Sequence, residues 1–206
     1  MRTTILATAA LAMFGCSAPQ HTDDTPNQQN PANVNYVGGP YGYTQGSVIQ
    51  NIQFVGKVDP QGAAGTADYG ALTMAPISLA SYHNDPNVKF LFISGVARWC
   101  APCNDEQTQV PTIQAKYEPK GVRFLETLIE GQQRGTPATE KDLNFWASFH
   151  SLHVGIALDP TDAIHQYADI AAFPLNMLVS TSDMKIQLMQ VGEITDLDST
   201  LAQYAP

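Results

Sequence analysis

The sequence predicts an α/β sandwich, and three observations carry that expectation. Strand-like apolar runs alternate with helical patterns along most of the chain of 206 residues. The chain then closes with two short strand-like runs around Ser182-Asp183 and a final helical run, a terminal hairpin and helix. One strand-to-helix junction carries Trp99-Cys100-Ala101-Pro102-Cys103, a strong short signal for thiol–disulfide chemistry. No internal repeat is present.

Arg2 precedes a short apolar run over residues 6–15, a positive and then hydrophobic leader too short to span a bilayer. Residues 1–15 therefore read as a signal peptide. The Gly15-Cys16 junction resembles the lipobox of bacterial lipoproteins, which implies a lipidated Cys16 as the new N-terminus. Met13 and Phe14 depart from that pattern, and ordinary cleavage after Ala18 is the rival reading. Ser17 resembles an outer-membrane sorting signal. Residues 16–45 are assigned to the lipidated N-terminus and a disordered tether; the part up to Asn35 is rich in Pro, Asn, Gln and Asp. Such a tether holds a domain ~25 Å from its anchor. Within it, the turn-forming aromatic stretch 36–43 reads as a packing strap. The remaining 46–206, about 160 residues, suffice for one domain with a proper core.

Within that domain, residues 48–55 partly alternate and read as a strand, and glycine-rich 56–70 as a loop or loose hairpin. Residues 77–82 begin a short helix or turn. Residues 88–94 form a nearly continuous apolar run, the pattern of a buried strand. Residues 101–118 are helical, 122–129 a strand and 131–137 a flexible connection. Residues 139–149 are helical, with Thr139 as N-cap and Asp142 at the third helical position. A strand over 154–158 and a short helix over 162–168 follow. The hairpin strands are 175–181 and 185–191, and the last helix is 196–203.

The cysteine spacing defines the chemistry. Two cysteines three apart at a helix start share one face, with Cys100 at the N-terminal turn. Unpaired amides and the helix dipole there stabilise a thiolate, lowering such a thiol to roughly pKa 3.5–7.5. Cys100 is the expected nucleophile and Cys103 the resolving thiol. Pro102 suits the first helical turn, where its missing N–H costs little. Arg98 either favours the Cys100 thiolate by its charge or sits free in a loop. A zinc site would need His150 and His153 as further ligands, but their spacing is short and no second cysteine pair exists. No metal and no cofactor is expected.

A formal charge of −9 argues against unaided nucleic-acid binding, because nothing would neutralise phosphates. The hydrophobic fraction of 44% is ordinary for a globular core.

On these residues the chain resembles the thioredoxin superfamily, and within it the exported TlpA-like thiol–disulfide oxidoreductases. The resemblance runs from Gly46 to the C-terminus. It rests on Trp99-Cys100-Ala101-Pro102-Cys103, on Glu106 three residues beyond, and on Leu158-Asp159-Pro160 with Tyr167 and Ile170. Phe173-Pro174 stands where the family has a cis-proline, and Gly192 closes the hairpin. The resemblance implies a three-layer sandwich, a mixed sheet flanked by helices. It implies that Glu106 shuttles the thiol proton, and that Trp99, Phe173 and Pro174 bind substrate. It implies substrate proteins with disulfides or thiols, and a redox partner in the membrane or periplasm. Ser94 departs from the family, standing where cytoplasmic members carry a buried aspartate. So does Pro111, three residues beyond the usual kinking proline.

Three functions follow as expectations. The first is an exported, lipid-anchored oxidoreductase of the cell envelope, working as a reductase. The second is a thiol peroxidase of the same fold, although no Pro-x-x-x-Thr stretch precedes Cys100. The third is a metallochaperone or binding lipoprotein, although the cysteine spacing is one residue short of the copper-chaperone pattern.

Overall fold

The computed structural model describes residues 36–167 and 172–206. The leader, Cys16, the stretch to Asn35 and Ile170 lie outside the described residues. Along the chain come β1 (Gln53–Val58), β2 (Ala75–Ser78), β3 (Phe90–Ala97), α1 (Ala101–Gln107), α2 (Val110–Tyr117), β4 (Val122–Glu130), α3 (Glu140–His150), β5 (Gly155–Leu158), β6 (Leu175–Ser180), β7 (Ile186–Val191) and α4 (Leu197–Ala202). The described strands form one mixed sheet in the order β2-β1-β5-β4-β3-β6-β7. Pairs β3–β4 and β4–β5 are parallel; β1–β5, β3–β6 and β6–β7 are antiparallel.

Both parallel crossovers, β3 to β4 and β4 to β5, step the same way across the sheet. Right-handed connections therefore put α1, α2 and α3 on the same face. Helix α4 joins them: Leu197 and Leu201 share a core with Cys103, Ile113, Leu143 and Trp146. The opposite face is covered by Ile49, which follows the N-terminal strap, Leu79, and Ile164 and Tyr167 of the 3-10 turn Ile164–Tyr167. The class and the mixed sheet are as expected. The flanking layers are unequal, with the described α-helices on one side and irregular segments on the other.

The strap, which the sequence grouped with the tether over 16–45, packs against the folded unit. Tyr36 Oη donates to Ile49 O (2.8 Å) and Val37 packs into the second core. Residues 46–49 run beside the β6–β7 hairpin, through Gly46 N–Ile186 O and Ile49 N–Met184 O. The chain then crosses to β1 on the far side of the sheet. The single strand expected over 48–55 is thus two pieces at opposite sides. Strand β1 extends through Gly56, which the sequence assigned to a loop. A Cβ at Gly56 would lie 2.2 Å from Ile156 O, so this glycine permits a close strand approach, not a turn.

The expected helix 101–118 is divided into α1 and α2. Pro111 stands in the first turn of α2, where its missing N–H is harmless. In helix α3 the Thr139 cap forms a full capping box with Asp142.

Candidate active site

The alternation of β3 and β4 sends Phe92, Val96, Phe124 and Leu128 into the helix-covered core. Ser94 and Glu126 have the same phase. Strand register places Glu126 and Asn176 opposite Ser94 on its two sides. A polar row, Glu126–Ser94–Asn176, therefore crosses the sheet between apolar rows and faces α1. All three side chains are buried.

Helix α1 begins where β3 ends. Cys100 is its N-cap, and its Sγ accepts from Cys103 N–H at 3.1 Å. The two cysteines are joined in a disulfide. Asn104 fixes the preceding loop by donating through Nδ2 to Cys100 O (2.7 Å) and Arg98 O (3.2 Å). Its Oδ1 is thus the acceptor facing His150 Nε2 at 3.1 Å. Burial lowers His150 to a pKa of about 4, so the ring is neutral at pH 7 and its Nε2 carries the proton. His153 turns elsewhere, to Asp59 at 2.7 Å. Among the described residues no group of three or more metal-ligating side chains gathers.

One turn past Cys103, Glu106 is fully buried. Its Oε2 accepts from Asn176 Nδ2 (2.7 Å) and Ile194 N–H (2.6 Å), and its Oε1 from Ser94 Oγ (3.3 Å). Burial raises its pKa to about 7; the three donors oppose the rise and Glu193 adds to it. A carboxyl poised there exchanges its proton at neutral pH.

Cys100 is only 2% exposed in this disulfide form. Trp99 and Phe173 pack against the core that contains it. Their rings meet edge to face, with centroids 5.6 Å apart. The indole Nε1 donates to Glu130, and the Arg134 guanidinium lies 3.9 Å from the centre of the Trp99 rings. The Phe173–Pro174 peptide is cis, as the resemblance implied. Arg98 is neither free nor turned to the sulfurs: it pairs with Asp142 and stacks over Phe145. Beside Trp99 an open groove of about 710 Å³ runs past Asn104 to Phe149, which is 63% exposed.

If the Trp99–Phe173 cover limits access, Trp99→Ala should speed reduction of the disulfide by a bulky phosphine several-fold. The same change should have little effect with a small thiol. Equal rates for wild type and variant with both reagents would show that Trp99 does not guard the sulfurs.

Cys100, Cys103, Glu106, Trp99, Phe173 and Pro174 thus fall into one region, while Cys16 lies outside the described residues. Sequence reasoning missed Ser94 and Asn176 as partners of Glu106, Glu126 in the same row, and Asn104 as the loop anchor. The available signal was a lone polar residue inside an apolar strand run, as in Leu175-Asn176-Met177.

No protein-family model and no curated protein matches the sequence. Solved structures do match the fold. A thiol:disulfide interchange protein DsbE from Chlorobium tepidum is 18% identical with a TM-score of 0.58, covering 79% of this chain and 95% of that one. The thioredoxin domain of a thiol-disulfide oxidoreductase from Bacteroides vulgatus is 17% identical with a TM-score of 0.57, covering 80% and 100%. Thioredoxin peroxidase I from Plasmodium yoelii is 11% identical with a TM-score of 0.55, covering 78% and 88%. The fold is therefore thioredoxin-like. At these identities the likeness defines the fold and leaves the chemistry to the site.

Proposed function

We propose that this chain is an exported thiol–disulfide oxidoreductase that reduces protein disulfides in the bacterial cell envelope. The observation that carries this reading is the Cys100–Cys103 disulfide at the start of α1, with the Glu106 carboxyl buried one turn behind it. In the reduced protein the Cys100 thiolate attacks a substrate disulfide, forming a mixed disulfide and releasing one substrate thiolate. Cys103 gives its proton to ionised Glu106 and attacks Cys100 Sγ. The Cys100–Cys103 bond forms, the second substrate thiolate leaves, and both leaving thiolates take up protons. The substrate gains two electrons and the dithiol loses two. Trp99, Phe173 and Pro174 supply the contact surface. No cofactor enters these steps; a redox partner restores the dithiol. The short leader and Cys16 support export and lipid anchoring, with the domain facing the periplasm, and Ser17 supports the outer membrane. Among the described residues no helix is long and apolar enough to cross a membrane.

One purified sample tests the reading against its rivals. Insulin disulfides should be reduced catalytically when a dithiol is supplied. Peroxide consumption without insulin turnover would replace this function with a peroxidase, and stoichiometric copper binding without either would replace it with a metal carrier.

A further inference from the structure

Glu126 is a buried acid that the steps above do not use. It is 1% exposed, and its Oε2 has no hydrogen-bond partner among the described residues. The Gln107 amide, also buried, likewise has both polar atoms without a formed bond. A buried carboxyl with one oxygen left unpaired is costly, and such a group calls for an explanation.

The register argument locates it. Glu126 and Asn176 flank Ser94 in the row that faces α1, and Glu106 comes down from α1 onto Ser94 and Asn176. Two carboxyls thus meet one small polar pocket with unequal support. Glu106 has three donors, whereas only Gln107 favours the Glu126 charge. The charged groups acting on the pair are acidic: Glu106 acts on Glu126, and Glu193, beyond β7, acts on Glu106. Tyr69, a further titratable neighbour, is raised by burial first and by the Asp59 and Glu126 charges after it, and stays neutral. Burial first and the Glu106 charge second push Glu126 well above the glutamate range. Carboxyls in this arrangement lose their protons in two steps that belong to the pair.

We propose that Glu126 is a positioning residue of the dithiol centre: it keeps its proton beside Glu106 and sets how many protons the pair holds while Cys103 ionises. Glu106 ionises first, and Glu126 remains neutral so that the pocket carries one charge and not two. This assignment rests on the dithiol reading above, because it gives the pair a task only if Cys103 must lose a proton. With Glu106 removed, Glu126 is the carboxyl of the pair left to ionise.

Carbon-13 NMR of the glutamate carboxyls in the oxidised protein tests the coupling without any activity assay. The wild type should show two buried steps, one near the value for Glu106 and one above it. In Glu106→Gln the Glu126 step should fall by about one pH unit or more, since the neighbouring charge is gone. In Glu126→Gln one step near 7 should remain. An unmoved Glu126 step in Glu106→Gln, or a Glu126 carboxyl titrating in the ordinary range, overturns the proposal. The Glu106→Gln arm keeps Glu126 in place, so it decides the matter even if Glu126→Gln does not fold.

The link to the dithiol is read separately, from the pH profile of thiol alkylation in the reduced protein. Glu106→Gln should retain one inflection beyond those of the thiols, and Glu106→Gln/Glu126→Gln should lose it. Identical profiles for the two would remove Glu126 from the centre. Insulin reduction by the wild type would still stand, so failure here is distinct from failure of the proposed function.

Discussion

Replacing Cys103 with Ser should leave Cys100 held in mixed disulfides with its substrates, while Cys100→Ser should trap none. Cys100 caps α1, and the N-terminal amides that favour its thiolate include the Cys103 N–H bonded to its own Sγ. Cys103 sits inside the first turn and is fully buried. It can reach the sulfur of Cys100 but not that of an incoming protein. Without Cys103 the mixed disulfide has no internal attacker, so multiple-turnover insulin reduction should be lost while one substrate per protein stays bound. Non-reducing gels of envelope fractions, followed by identification of the trapped chains, would measure this and name the substrates. Equal trapping by both variants, or trapping by Cys100→Ser alone, would reverse the two roles. Because Cys100 is only 2% exposed in the disulfide form, trapping also requires the groups around it to yield to the substrate.

The elements nearest the cysteines were the most legible in the sequence. Strand β3, the start of α1, strand β4, the Thr139 cap and the C-terminal hairpin and helix all lie within a few residues of their expected places. Each combines a local pattern with a local stop signal, so no distant contact is needed to place it. The N-terminal part was harder to read for a physical reason. Residues 48–55 read as one strand, yet Ile49 and β1 lie at opposite sides of the sheet, and only tertiary packing decides where such a segment crosses. Gly56 was misread because a glycine that permits close approach looks the same in sequence as one that turns the chain. The site was half visible. The cysteines, Glu106 and Pro174 share recognisable spacing, but the row Glu126–Ser94–Asn176 exists only through strand register, which no local window contains.

Glu106→Gln should make the oxidised protein more stable above pH 7 and leave it nearly unchanged near pH 4. The sign follows from the raised pKa. Glu106 moves from an ordinary value of 4.5 to about 7 on folding, chiefly through burial. Between those values the folded protein binds more protons than the unfolded chain, so its stability falls as pH rises. The contribution is fully present below the unfolded value and lost as pH passes the folded one. A shift of 2.5 units corresponds to on the order of 3 kcal/mol once the group is fully ionised. Glutamine should preserve the local bonds. Its amide oxygen can accept from Asn176 Nδ2 and Ile194 N–H as Oε2 does, and its NH₂ can donate to Ser94 Oγ in place of Oε1. Urea unfolding of both proteins at pH 4 and pH 8 measures the effect; an equal stability difference at the two pH values would refute it. The same substitution should lower the pH at which the thiols react with an alkylating agent, since a neighbouring negative charge is gone. Insulin turnover should nevertheless slow, because the group that takes the Cys103 proton is missing. Greater stability, more reactive thiols and slower turnover together separate a proton-exchanging Glu106 from one that only fills space, for which none of the three would depend on pH.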